Sequence, residues 1–142
     1  MNASRRGLAF LLPSIAAMTA NAQAPATARK PMASTFYPTE ALAYRSSATK
    51  KGRQFLNGVN RSGFGLELHE TIMTPGTETH PPHKHAHEEI VIITEGTIEY
   101  YVEGKTQRVT AGSVVYIASN EMHNAKNVGD VPSRYYVIEL RG

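Results

Sequence analysis

The sequence contains no cysteine, so a metal site built on thiolates is excluded. Any first-row transition metal would have to be bound by imidazole and carboxylate groups. The chain also lacks a hydrophobic run long enough to cross a bilayer, which requires about 20 apolar residues. Its apolar run from Gly7 to Met18 is short and is interrupted by Pro13. No membrane span is therefore predicted.

The sequence has little excess charge of either sign. It contains 15 Lys and Arg residues and 12 Asp and Glu residues, and residues 1–22 contribute Arg5 and Arg6 but no acid. Without those two arginines, 13 of the 15 basic residues remain against the 12 acidic ones. Proteins that track phosphates carry a concentrated basic surface. We therefore expect no nucleic-acid partner.

Residues 1–22 have the features of a signal peptide. Arg5-Arg6 forms the charged start, an apolar run follows, and Ala20-Asn21-Ala22 is a small-x-small cleavage site. We expect a mature chain that begins near Gln23 and is exported, as a periplasmic or secreted protein. Ser4-Arg5-Arg6 also resembles the start of a twin-arginine signal, so this route and the general secretory route both remain open.

The remainder divides into a linker and one folded domain. Residues 23–35 are rich in Ala, Pro, Thr and Ser and begin a linker and N-terminal arm that extends to residue 60. From Phe64 the hydrophobicity alternates with a period of two, and short strands separated by turn residues follow. This pattern is typical of a β-sandwich or β-barrel. Residues 61–142 are therefore predicted to be an all-β, single-domain barrel.

The segment from Gly76 to Gly96 contains the strongest chemical signal. Four of the six histidines lie within eight residues, and Glu88 and Glu89 follow directly. His83 and His85 are two apart, so both leave the same face of an extended segment. Glu89 would lie roughly 13 Å beyond His85 on a straight strand, whereas metal–ligand bonds are about 2.1 Å long. A shared ion therefore requires a turn at residues 86–88, and we expect that turn to point His87 into solvent.

A fourth ligand must come from further along the chain, where His123 is the only remaining histidine. Two stretches resemble the two conserved motifs of the cupin superfamily: His83-x-His85-x3-Glu89-x6-Gly96 and Gly112-x5-Ala118-x-Asn120-x2-His123-x3-Asn127. The resemblance extends from about Gly65 to Leu140. Ala118 replaces the usual proline, Asn120 replaces the usual turn glycine, and Gly76 lies one residue further from the first motif than usual. Asn tolerates positive φ, so the turn at Asn120 is still expected.

The resemblance implies a small single-domain cupin with a jelly-roll barrel. It implies one divalent ion bound by His83, His85, Glu89 and His123. Manganese or iron is the ion expected from the resemblance, although nitrogen and oxygen ligands also suit cobalt, nickel and zinc. Cupins commonly pair through sheet edges, and an open edge requires cover. A homodimer is therefore expected.

Three imidazoles and one carboxylate leave coordination positions open, which favours a catalytic site over a closed structural one. The resemblance implies a dioxygenase, decarboxylase or isomerase that acts on a small organic acid or a related oxygen-rich molecule. Two alternatives remain open: a non-catalytic binding module for a sugar or organic acid, and a metal store. No catalytic residue is assigned, but the candidates for proton transfer are Glu67, His69, His80, Tyr100 and Tyr101. The candidates for substrate contact are His69, His80 and Tyr101.

Overall fold

The computed structural model describes residues 29–142, so the predicted signal peptide and its cleavage site lie outside the described residues. Within this range the chain forms one 3₁₀ helix, Thr39–Ala41, and nine β-strands. The strands are β1 (Arg45–Ser46), β2 (Lys50–Val59), β3 (Gly65–Met73), β4 (Glu88–Glu95), β5 (Thr97–Val102), β6 (Lys105–Thr110), β7 (Val114–Ile117), β8 (His123–Asn127) and β9 (Ser133–Arg141). In this range no helix is long and apolar enough to cross a membrane.

The strands form two antiparallel sheets that enclose one interior. The larger sheet has the order β1-β2-β3-β9-β4-β7, and the smaller has the order β6-β5-β8. The predicted all-β jelly-roll architecture is confirmed. Because β3 pairs with β9 and β9 with β4, the last strand lies in the middle of the larger sheet and joins its two halves.

Alternation of side chains positions the core between the sheets. The residues buried between them come from both sheets: Met73, Val91, Ile93, Ile98, Tyr100, Ile117, Ala125, Tyr135 and Val137. Met73 has the same parity as Glu67, His69 and Thr71, so these residues share the inner face of β3. The opposite face of β3 carries Glu70, which is also fully buried because the N-terminal segment covers it. Polar side chains on both faces of one strand are thus removed from solvent.

The folded sheet begins before the predicted boundary at residue 61. Residues 50–59, which we expected within the N-terminal arm, form the long strand β2 and pair with β3 along its length. The start of this strand is polar because its partners are polar. Arg53 bonds Glu70, and Gln54 donates to Glu67, so the apolar alternation that identifies a strand in the sequence is missing here.

The turn positions of both motifs have the backbone geometry that the sequence predicts. Asn120 has φ of 62°, so it occupies the left-handed region in place of the usual glycine. Gly96 has φ of 80°, and a Cβ at this position would lie 2.8 Å from Ser133 Cα. Gly96 is therefore required both for its conformation and for the close approach of the first residue of β9.

Candidate metal centre

The predicted ligands are brought together at one end of the interior. His83 forms an isolated antiparallel bridge with His123, through backbone hydrogen bonds of 3.1 and 2.9 Å. The backbone N–H of Asn120 donates to the carbonyl of His85 at 2.7 Å, which ties the second motif to the first. The chain then turns and enters β4 at Glu88, one residue earlier than expected. Strand pairing across the barrel therefore positions the four ligands.

The three imidazoles have a common orientation. The Nδ1 atom of His83 lies 3.3 Å from the His123 carbonyl oxygen, and that of His85 lies 2.9 Å from the His87 carbonyl oxygen. The Nδ1 atom of His123 lies 2.8 Å from the Glu121 carbonyl oxygen. A carbonyl oxygen only accepts, so each Nδ1 must carry the proton. In a neutral ring the lone pair is then on Nε2, where it is available to bind a metal.

Glu89 completes the group. Its Oε1 atom lies 3.0 Å from His85 Nε2, and its Oε2 atom lies 3.9 Å from His123 Nε2. One ligand atom from each of His83, His85 and His123 lies within 4.8 Å of the others. Ligand atoms about 2.1 Å from one ion are about 3 to 4 Å apart, so these separations suit a single ion.

The donor set fits a divalent cation. His85 Nε2 is buried and makes no hydrogen bond, although a carboxylate oxygen of Glu89 lies 3.0 Å away. With its proton on Nδ1, His85 directs Nε2 at another acceptor, and a metal ion bound by both groups, or a proton on Nε2, relieves the repulsion between them. Burial lowers the pKa of His123, although the Glu121 carbonyl and the Glu89 carboxylate act in the opposite direction. His123 is therefore neutral and available for ligation at neutral pH.

The structure contradicts the expectation that His87 points into solvent. Its side chain is 24% exposed, and its Nε2 atom lies 3.5 Å both from Glu89 Oε1 and from Glu139 Oε2. Its ring stacks on that of His85 with a centroid distance of 3.5 Å and an interplanar angle of 5°. The turn after His85 is tight enough to keep both rings on the cavity side, so His87 contacts two of the candidate ligands.

The candidate substrate contacts occupy different places. His80 is exposed but borders the cavity, with its ring centroid 3.8 Å from that of His83. His69 also lines the cavity, and its Nδ1 atom lies 2.9 Å from the buried carboxylate of Glu67. Tyr101 does not line the cavity, because alternation along β5 puts it on the opposite face from Tyr100. Its position gives no support to a role in substrate contact.

A cavity of about 590 Å³ opens from the metal centre over the inner face of the larger sheet. This volume is in the usual range for small-molecule sites. Tyr100 and Tyr135 line it from opposite sheets, and burial is the main cause that raises the pKa of each phenol. Both phenols therefore stay protonated at neutral pH and can donate a hydrogen bond to a ligand.

Glu139 is a cavity residue that the sequence analysis missed. It lies between Glu67 and Glu89 in the strand register, so three carboxylates stand side by side on adjacent strands. Like charges in such positions repel, and basic groups lie between or beside them: Arg141 bonds Glu139, and His87 lies between Glu139 and Glu89. The period of two along β9 was a signal that could have identified Glu139, since Tyr135, Val137 and Glu139 share one face.

Comparison with known proteins agrees with this geometry. The sequence profile of the Cupin domain family matches residues 69–139, which is half of the chain and includes all four candidate ligands. The chain therefore belongs to the cupin superfamily. Among curated proteins, L-ectoine synthase of Bordetella parapertussis is 35% identical over 66 residues, which are 46% of this chain and 50% of that protein. The chain thus spans about half the length of the curated relatives it matches.

Solved structures share the fold at low sequence identity. An RmlC-like cupin from Shewanella frigidimarina is 18% identical, with a TM-score of 0.65 over 81% of this chain and 95% of that one. KdgF from Halomonas sp. is 16% identical, with a TM-score of 0.66 over 76% of this chain and 95% of that one. These similarities extend to the fold, and the chemistry of the cavity must be argued from its own residues.

Proposed function

We propose that the protein is a metal-dependent cupin enzyme that acts on a small organic acid or a related oxygen-rich molecule. The observation that carries this proposal is the convergence of His83, His85, Glu89 and His123 at the end of an open cavity of about 590 Å³. A closed structural site has no need of such a cavity. The similarity to a synthase over part of the chain supports a catalytic role.

A bound divalent ion would act as a Lewis acid on a substrate oxygen, and manganese or iron is our choice, with zinc, nickel and cobalt as alternatives. The residues of the chain orient the ligand set and shape the pocket. The carbonyls of His123, His87 and Glu121 hold the three rings in the tautomer with Nε2 free. Tyr100 and Tyr135 donate hydrogen bonds to the bound molecule from the cavity walls.

A binding module without turnover is the second candidate, and the state of the two cavity tyrosines favours it. A phenol is protonated at neutral pH, and burial raises the pKa of Tyr100 and Tyr135 further, so both are hydrogen-bond donors rather than bases. A protein that binds a sugar or an organic acid through the metal would need only such donors. A metal store is less well supported, because an open cavity serves no purpose in storage.

Metal analysis of protein purified without a His tag, followed by titration calorimetry with Mn²⁺, tests the proposed centre. We expect one ion per chain. Glu89→Gln and His123→Ala should each weaken binding by more than about 100-fold, since even outer partners of metal ligands contribute about 10- to 100-fold. Glu88→Gln is the matched control, because the carboxylate of Glu88 lies beside the exposed Tyr116. Unchanged binding by Glu89→Gln would contradict the site.

Turnover distinguishes the enzyme from the binding module. The metal-loaded protein should convert at least one member of a panel of small carboxylic acids and hydroxy acids. Mass spectrometry of the reaction mixture detects the product. His123→Ala should abolish that conversion. Saturable binding of a panel member without any product would favour the binding module instead.

We also propose that the protein is exported, on the basis of the charged start, the apolar run and the Ala20-Asn21-Ala22 site. The intact mass of protein recovered from the cell envelope should correspond to a chain that begins near Gln23. Retention of residues 1–22 in that protein would refute the cleavage.

A homodimer is a further proposal. The smaller sheet ends at β6, whose residues are mostly exposed and whose outer edge has no partner strand within residues 29–142. Such an edge favours pairing with another strand. Light scattering at micromolar concentration should give the mass of two chains, and the mass of one chain would contradict this.

A further inference from the structure

The cavity has a basic rim formed by the β1–β2 hairpin. Arg45 and Lys50, from the β1–β2 hairpin, line the same cavity as the metal ligands. Neither residue has a role in the metal centre. They are therefore candidates for contact with a part of the bound molecule that the metal does not reach.

Strand register directs both side chains inward. Arg45 pairs with Gly52, and Gly52 pairs with Thr71, which lines the cavity. Lys50 pairs with Met73, a core residue on the same face of β3. The neighbouring residue Lys51 has the opposite parity, and its ammonium lies 5.0 Å from the centroid of the Tyr44 ring on the outer face.

The two inward cations have no carboxylate partner. Within residues 29–142, no Asp or Glu oxygen lies within 4.0 Å of the charged groups of Arg45 or Lys50. The ammonium of Lys50 donates to the carbonyl of Thr79, at the start of the segment that leads to His80 and His83. Lys50 thus extends over the cavity toward the metal centre while its charge remains uncompensated.

The acidic groups of the cavity lie at the other end. Glu89 and Glu139 are level with Glu67 in the strand register, four residues along β3 from Thr71. At about 3.3 Å per residue, the backbone at Arg45, which is level with Thr71, lies roughly 13 Å along the strand direction from the backbone at Glu89. The backbone of the rim is therefore well separated from that of the carboxylates, and the long side chains of Arg45 and Lys50 can reach back across part of that distance.

The hairpin that carries the rim is held in place. Tyr44, directly before β1, donates to Glu70 at 2.8 Å, and Arg53 of β2 donates to the same carboxylate at 2.5 Å. Glu70 is fully buried. The backbone that positions Arg45 and Lys50 is thus attached to β3.

We propose that Arg45 and Lys50 bind an oxyanionic group, such as a carboxylate, at a distance from the part of the molecule that the metal centre binds. The natural ligand is then an extended acid with two oxygen-bearing ends, one for each site. This proposal rests on the proposed function, since it concerns the same cavity. It adds a second recognition site and requires that affinity depend on the separation of the two ends.

Titration calorimetry on the Mn²⁺-loaded protein tests this with the dicarboxylates oxalate, succinate, glutarate and adipate. Hexanoate has the length of adipate but lacks one carboxylate, and inorganic phosphate is the alternative oxyanion. Oxalate reports chelation of the ion alone, affinity should rise with length from succinate to adipate, and adipate should bind more tightly than hexanoate. Tighter binding by phosphate than by any dicarboxylate would assign the rim to a phosphate group instead of a carboxylate, and would refute the extended acid.

Lys50→Gln and Arg45→Gln should each weaken adipate binding by about 10-fold or more, as expected for loss of a charge-assisted hydrogen bond. Lys50→Arg should restore most of the affinity. The control is Arg108→Gln, which removes one positive charge from the exposed pair with Glu99 on the smaller sheet. Arg45 is exposed, so its variant remains a valid test if the Lys50 variant folds poorly.

The Mn²⁺ content of every variant is measured beside ligand binding. Variants that keep their metal and bind adipate as tightly as the wild type would overturn the basic rim while leaving the metal centre intact. Hexanoate bound as tightly as adipate by the wild type would also overturn it. A wild-type protein that takes up no metal but binds adipate through Lys50 would support the rim and refute the proposed function.

Discussion

Replacement of Glu70 by leucine should destabilise the protein strongly. The carboxylate is fully buried and accepts hydrogen bonds from Arg53, Arg134 and Tyr44, at 2.5, 2.6 and 2.8 Å. The side chain of Arg53 is only 5% exposed, so Glu70→Leu leaves a guanidinium that is buried and has lost its counter-charge. Breaking a buried ion pair in this way costs about 3–5 kcal/mol.

The contribution of Arg134 to this loss should be small. Its side chain is 29% exposed, and it keeps a second bond to Glu95 at 3.0 Å, so solvent and that carboxylate compensate for the lost partner. The expected loss of unfolding free energy therefore comes from Arg53 alone. Urea denaturation is the assay, and with a slope of about 1–3 kcal/mol per molar, the midpoint should fall by roughly 1–5 M.

Two further variants separate the buried charge from general damage to packing. Glu70→Leu combined with Arg53→Met should recover much of the lost stability, because it removes both charges at once. Glu95→Gln removes the charge of the exposed carboxylate that Arg134 also bonds, and it should change the free energy of unfolding by less than about 0.5 kcal/mol. A loss below about 1 kcal/mol for Glu70→Leu would refute the argument that Arg53 depends on this carboxylate.

Two predictions concern pH and the metal centre. Burial raises the pKa of Glu70, but hydrogen bonds from Arg134, Tyr44 and Arg53 outweigh it and lower that pKa below 4.5. The stability that Glu70 contributes is thus present above pH 4.5 and is lost as the pH falls through the lowered pKa. In thermal melts from pH 6 to 2, Glu70→Gln should lose less stability on acidification than the wild type. An equal loss in both proteins would contradict this. His87→Ala should weaken Mn²⁺ binding by about 10-fold because His87 stacks on the candidate ligand His85 and contacts Glu89. Titration calorimetry is the measurement, and the exposed Lys84→Ala is the control. Wild-type affinity of the His87 variant would contradict this role.

The strands from β3 onward could be predicted because their signals are local. Period-two alternation and turn residues are properties of short segments, and the backbone at Asn120, with φ of 62°, followed from the tolerance of asparagine for that conformation. The strand β2 could not be predicted in the same way. Its polar residues are satisfied by Glu67 and Glu70 on a neighbouring strand, so its identity depends on a partner that the segment itself does not show.

The candidate metal ligands could also be predicted from the sequence, since a ligand set is defined by residue type and spacing. His83 and His85 must share a face, and the 2.1 Å length of a metal–ligand bond requires a turn before Glu89. The direction of the His87 side chain could not be predicted from the sequence. A turn of a given length can point its central side chain to either side, and contacts with His85 and with Glu139 of the distant strand β9 decide which.

The sequence by itself therefore determined the class of the protein, the four candidate ligands and the period of most strands, because these depend on residue type and short-range spacing. Only the tertiary structure decided what surrounds the ligands. Glu139, Tyr135, Arg45 and Lys50 reach one cavity through pairings such as β3 with β9 and β1 with β2. Which face of a strand looks inward is a property of the register between strands distant in the chain, and that register follows from how the whole core packs.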